Sequence, residues 1–232
     1  MQLDQVEARV EAIMAGLTLP QAVSLLSGAD FWSVQPDTAL GLGTLRVTDG
    51  PNGARGGGSL IGGVKTAAFP VGIALGATWN PDLAREIGSA LAAQVKSKNA
   101  HVLLAPTVNI QRSVTNGRNF ECYSEDPVLT AELAVAYIQG LQAEGVSATI
   151  KHFAGNESEI ERTLREVYLI PFEAAVKHGK TWGIMSSYTK LNGTYAAENH
   201  WLLTEVLRGD WDYDGIVMSN WSGSRTIAPQ CT

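Results

Sequence analysis

The sequence predicts an α/β fold built from parallel strands, of the eight-stranded (β/α)8 TIM-barrel type. Short apolar strands alternate with amphipathic helices along most of the chain, which is the pattern of a parallel β/α architecture, either a barrel or a doubly wound sheet. Polar residues then separate these two. Asp49, Arg112, Lys151-His152, Tyr188 and Asn220 each fall at or just past the C-terminal end of a predicted strand. A barrel gathers its site there, from several strands. A doubly wound nucleotide sheet would concentrate its signal in one glycine-rich turn opening a helix, and Gly41-Leu42-Gly43 and Gly56-Gly57-Gly58 lie away from any such junction.

Each element has a local reason. Val6, Val10, Ile13, Met14 and Leu17 recur at helical spacing, and Thr18-Leu19-Pro20 starts a second helix over 21–26 that Gly28 ends. Leu45 to Thr48 reads as a strand entering the turn Asp49-Gly50-Pro51-Asn52-Gly53. The glycine-rich stretch 53–63 reads as a loop. Asn80-Pro81 opens a helix over 82–98 with Leu83, Ile87, Leu91 and Val95 on one face. Strands follow at 102–105, 148–150, 183–187 and 215–219, with helices at 127–141, 164–177 and 202–207 between them.

Composition bounds the partner. The 232 residues are 45% hydrophobic and 17% charged, as in a globular chain with a sizeable core, and the net charge is -6. With scattered Lys and Arg, that balance argues against nucleic acid and against an anionic membrane surface, leaving a small or neutral molecule as the partner. No apolar run reaches the roughly 18 residues of a membrane span, and no signal peptide is visible at the start, so the expected location is cytoplasmic. Cys122 and Cys231 read as two free thiols. The four histidines lack metal-ligand spacing, and neither a metal nor another cofactor is expected.

Four segments carry most of the polar groups. Asp49 stands on its tight turn ahead of Arg55, either as a turn residue or as a carboxylate fixed to accept from two sugar hydroxyls. From Arg112 to Asp126, fifteen residues hold two arginines and three carboxylates; the rigid guanidinium fork suits polar oxygens, and Glu125-Asp126-Pro127 also caps a helix. Lys151-His152 follows a buried strand, where an unpaired Lys is seldom found, and both side chains can donate to hydroxyls. Trp221, beside Asn220, offers either core packing or a platform for the apolar face of a hexose.

In order, Asp49-Gly50-Pro51-Asn52-Gly53, Gly117-Arg118-Asn119-Phe120-Glu121 with Ser124-Glu125-Asp126-Pro127, Lys151-His152-Phe153, and Gly215-Ile216-Val217-Met218-Ser219-Asn220-Trp221 resemble glycoside hydrolase family 3, in particular its β-glucosidases, from about Leu17 to Trp221. The resemblance implies a retaining hydrolase of terminal β-D-glucosyl residues, with a β-glucoside or oligosaccharide as substrate and 1–232 as a partial N-terminal barrel domain. It places Asp49, Arg112, Lys151 and His152 on the first-subsite sugar, Tyr188 near the nucleophile, and Trp221 against the ring. Such enzymes use one carboxylate as nucleophile and a second as acid/base.

The chain departs from the family pattern in three places. Where the family has Ser-Asp-Trp, this sequence has Ser219-Asn220-Trp221, so the nucleophile position carries a neutral amide, a very poor nucleophile. Glu159-Ile160-Glu161-Arg162 runs into Thr163-Leu164-Arg165-Glu166 without the family's longer intervening stretch, which leaves open which family arginine Arg162 represents. The sequence ends about ten residues past Asn220, and the resemblance implies that the rest of the barrel and an α/β sandwich domain, which supplies the acid/base, lie outside it; Glu121, Glu125 and Glu157 do not match that residue. The expectation is therefore an enzyme-family chain of impaired turnover, with a non-catalytic sugar-binding barrel or an unstable fragment as the alternatives.

Overall fold

A computed structural model describes residues 3–57, 64–155, 163–221 and 223. The run 159–162, Glu157, Cys231 and part of the glycine-rich loop lie outside these residues. Two helices open the chain, α1 (Leu3–Gly16) and α2 (Leu19–Leu25), followed by a short antiparallel hairpin, β1 (Gly28–Asp30) and β2 (Ser33–Val34). The helical stripe predicted for α1 is present, yet Val10 and Met14 on it are exposed. The parallel sheet consists of β3 (Val47–Asp49), β4 (Val102–Leu104), β5 (Ser147–Phe153), β6 (Gly183–Ser186) and β9 (Ile216–Met218). A second hairpin, β7 (Lys190–Leu191) and β8 (Thr194–Tyr195), sits between the last two.

The strand order settles the fold class. In the five-stranded sheet every strand pairs in parallel with the one before it in sequence, with no reversal. A doubly wound sheet requires a point where the order turns back; a TIM-like barrel winds one way, and this sheet does so. Among the described residues this sheet has five strands, with β3 and β9 outermost.

Helices cover the outer face. These are α3 (Gly72–Gly76), α4 (Pro81–Ser97), α5 (Pro127–Ala143) and α6 (Ile170–Lys177), and α4 packs on α5, which packs on α6. The Asn80 side chain accepts from the Leu83 amide at 3.1 Å, and Asp126 accepts from the Val128 and Leu129 amides at 2.7 and 3.0 Å. These caps satisfy donors that the first helical turn leaves unpaired. The predicted 164–177 helix is a π-helical turn, Leu164–Tyr168, followed by α6. Pro171, in the first turn of α6, lacks the N–H needed to continue one regular helix across that junction. The predicted 202–207 helix is π-helical over Trp201–Asp210.

Strand alternation sorts the core into two layers. Leu103, Ala148, Ile150 and Ile184 join the large cluster under the helices, whereas Val102, Leu104 and Met185 form the inner cluster with Trp32, flanked by Val47, Met218 and Trp221. The helix layer is held close by glycines. A methyl group on Gly140 would lie 2.0 Å from the Arg85 carbonyl oxygen, and one on Gly88 would lie 2.3 Å from that of Tyr137. Gly140→Ala is therefore expected to push α4 off α5, costing about 2–3 kcal/mol. A thermal melt should register this as a fall of about 5–10 °C.

Candidate active site

The site stands on the C-terminal ends of the parallel strands. Asp49 is the last residue of β3, Lys151 and His152 belong to the end of β5, Tyr188 follows β6, and Asn220 and Trp221 follow β9. A cavity of about 200 Å³ brings these six together with Trp32, Arg55 and Arg118, over a floor of Leu104 and Met185. This is smaller than the roughly 300–1,000 Å³ of a drug-sized pocket, and its scale suits a single ring.

Each polar group is fixed by local structure. Gly50 and Gly53 have φ of 122° and 152°, and a Cβ on Gly50 would meet the Gly53 carbonyl oxygen at 2.0 Å, so only glycine closes this turn. The turn is pinned by the Arg55 amide donating to the Asp49 carbonyl at 2.9 Å, and the Gly50 amide donates to Asp49 Oδ1 at 2.9 Å. Lys151, almost wholly buried, donates from Nζ to the same Oδ1 at 2.6 Å. A buried ammonium needs such a partner, and the pair leaves Asp49 Oδ2 for a ligand. Arg118 pairs through Nε with Oε1 of the buried Glu121, whose Oε2 accepts from Thr107 Oγ1 at 3.3 Å.

His152 is buried, and its Nδ1 lies 3.1 Å from Asn109 Oδ1. Burial, with Lys151 and Arg118 beside it, pushes the imidazole down to about 2, so the ring is neutral. Because the Nδ1 hydrogen bond is made inside the protein, Nε2 is the ring nitrogen through which the expected contact of His152 with a sugar hydroxyl would be made. Asn220 is buried too. Its Oδ1 accepts from the Trp221 amide at 2.9 Å, while its Nδ2, shielded from solvent, has no hydrogen-bond partner among the described residues. The Trp221 ring lies 5.5 Å from that of Trp32, and Arg55 lies over Trp32 at 5.8 Å.

Of the residues that the resemblance assigns to the site, Arg112 is the one that the cavity does not include. It is exposed, and its Nη1 donates to the Tyr168 hydroxyl at 3.4 Å. The guanidinium that this loop sends into the cavity belongs to Arg118, six positions on, and a second comes from Arg55. Arg118 stands inside the 117–121 motif and Arg55 two residues past the 49–53 motif; the signal that would have marked Arg118 is Glu121 at i+3, an acid placed to orient it. Trp32, on the β1–β2 hairpin, carried no sequence signal. Cys122 is a free thiol, buried and pushed up to about 12, mainly by burial and then by Glu121. Among the described residues no three His, Cys, Asp or Glu side chains gather as metal ligands would.

A second, more open cavity of about 480 Å³ adjoins the first through Trp32, Asn220 and Trp221. It runs between the β1–β2 hairpin and β9, past Leu26, Phe31, Val47 and Met218. The polar subsite thus opens onto an apolar neighbour.

Known proteins share this sequence pattern and fold. The pattern described as "Glycosyl hydrolase family 3 N terminal domain" matches residues 52–231. A β-glucosidase from Rhizobium radiobacter is 62% identical over 94% of this chain and 28% of its own length, and β-glucosidase B from Emericella nidulans is 48% identical over 95% and 27%. Among solved structures, the Kluyveromyces marxianus β-glucosidase in complex with glucose superposes with a TM-score of 0.91 at 40% identity, covering 94% of this chain and 27% of that one. Thermotoga neapolitana β-glucosidase 3B in complex with glucose gives 0.86 at 41%, covering 92% and 34%. The chain therefore spans little more than a quarter of the length of the curated relatives it matches. Five strand ends converging on one cavity, with a family pattern that runs through four of them, establish that the chain belongs to glycosyl hydrolase family 3, as part of its N-terminal domain.

Proposed function

We propose that this chain forms the glucose-holding part of a retaining β-glucosidase site, with Asn220 at the nucleophile position. The cavity at the strand ends carries the reading. Asp49 Oδ2 accepts from hydroxyls of a terminal β-D-glucosyl residue, Lys151, Arg55 and Arg118 donate to its oxygens, and Trp221 packs against its apolar face. In a retaining mechanism a carboxylate attacks the anomeric carbon and a second carboxyl group protonates the leaving oxygen. The Asn220 amide cannot form and release a glycosyl ester as a carboxylate does. The chain as it stands is accordingly a sugar binder with strongly impaired turnover, and Asn220 favours this reading over an active hydrolase. Relatives known as β-glucosidases, two of them solved with glucose, support the choice of sugar.

Unfolding followed by scanning calorimetry tests binding directly. Glucose at about a hundred times its Kd is expected to stabilise the folded chain by about 2.7 kcal/mol, a rise of several degrees in Tm. Galactose, with one hydroxyl inverted against fixed polar partners, should give a smaller rise. A melt that no monosaccharide moves would count against the proposed sugar site.

A further inference from the structure

We infer that Asn109 is a positioning residue that fixes His152 as the Nδ1–H tautomer, so that its Nε2 faces the ligand as a hydrogen-bond acceptor. Asn109 lies in the segment after β4, which pairs with the end of β5 through the Thr107–Lys151 bridge and the Val108 amide donating to the Lys151 carbonyl at 2.9 Å. The buried Asn109 side chain then grips His152 three times. Its Nδ2 donates to the His152 carbonyl at 3.0 Å, and its Oδ1 lies 3.1 Å from both the His152 amide nitrogen and His152 Nδ1.

The direction of every bond follows from chemistry. A backbone amide only donates and a backbone carbonyl only accepts, so His152 itself dictates which end of the Asn109 amide is oxygen. That oxygen only accepts, and Nδ1 beside it must carry the hydrogen. A neutral imidazole with Nδ1–H has a bare Nε2. The charged groups around the ring are Lys151 on its own strand, Arg118 with Glu121 from the loop after β4, and Asp49 and Arg55 from the turn after β3; Tyr188 after β6 completes the polar wall. Lys151 and Arg118 among them are cations, which oppose a second proton on the ring.

The consequence for the ligand rests on the sugar reading above. The group that meets Nε2 has to be a hydroxyl pointing its hydrogen inward. Replacing that one hydroxyl with fluorine, which cannot donate, should weaken binding by about tenfold, whereas fluorine at positions that only accept from the cations should cost less.

The tautomer can be read without any sugar. In the chain labelled with 15N-histidine, long-range proton–nitrogen correlation is expected to show His152 with a protonated Nδ1 and a bare Nε2. The pattern should stay unchanged from about pH 8 to about pH 4, in keeping with a ring held down to about 2. Single replacements of the exposed His101, His178 and His200 assign the signal. An Nε2–H ring, or one that titrates in this range, would overturn the inference. Asn109→Asp supplies the second reading. It keeps an acceptor on Nδ1 but adds a negative charge, favouring the imidazolium, whose Nε2 donates. The glucose-induced rise in Tm should then disappear on acidification in the variant while persisting in the native chain. If the variant follows the native chain at every pH, Asn109 does not act through the ring. If the native chain shows the expected NMR pattern but no response to glucose, the positioning role stands and the sugar reading falls.

Discussion

Asn220→Asp is expected to raise the release of an activated phenol from an aryl β-glucoside by at least about a thousandfold. The scale comes from enzymes in which losing the nucleophile costs up to about a millionfold. Asp and Asn are nearly isosteric, and Asn220 Oδ1 is already fixed by the Trp221 amide at 2.9 Å, so the exchange replaces Nδ2 with a carboxylate oxygen and leaves the rest of the site in place. A leaving group that departs without a proton removes any need for the acid/base, so the assay isolates formation of the glycosyl ester. Initial rates with the activated substrate, and an intact mass increased by one glucosyl unit, are the two readings. An Asn220→Asp variant that still binds glucose but neither accelerates phenol release nor acquires the adduct would show that position 220 does not hold the nucleophile.

The parallel strands and their polar ends were legible because both are local. The apolar run of β4, and the short one in β5 that leads into Lys151-His152, announce themselves in the sequence, and the family motifs supplied the order. The winding of the sheet was legible only through the distribution of those polar ends. What the sequence did not disclose depends on contacts across the chain. Asp49 and Lys151 are 102 positions apart, and Asn109 and His152 are 43 apart. Nothing at Lys151 names its counter-ion, and nothing at His152 says which ring nitrogen the protein will occupy. Arg112 and Arg118 are chemically identical, and only the path of their loop, with Glu121 turning Arg118 inward, decides which one meets the cavity. The π-helical geometry at Leu164–Tyr168 was hidden for a different reason, since apolar spacing alone does not distinguish it from an α-helix.

Removing the charge of Asp49 should be the most damaging single change to stability among the site residues. Lys151 is 3% exposed at its side chain and Asp49 39%, with 2.6 Å between Nζ and Oδ1. Breaking a fully buried pair by removing one partner costs about 3–5 kcal/mol; the partial exposure of Asp49 lets solvent screen the charge, which lowers the expected cost of Asp49→Asn to roughly 2–3 kcal/mol. Denaturant midpoints would register this, and glucose would no longer stabilise what remains folded. Lys151→Met should behave differently. It withdraws the charge that is costly to bury and leaves Asp49 where water can still reach it, so stability falls less while glucose binding is still lost. The double variant distinguishes a coupled pair from two independent defects. If the pair is held together by charge, Asp49→Asn in a Lys151→Met background should cost less than half of what it costs alone. Additive losses would mean that Asp49 is needed chiefly to pin its turn through the Gly50 amide at 2.9 Å, and that Lys151 is buried for reasons other than its partner.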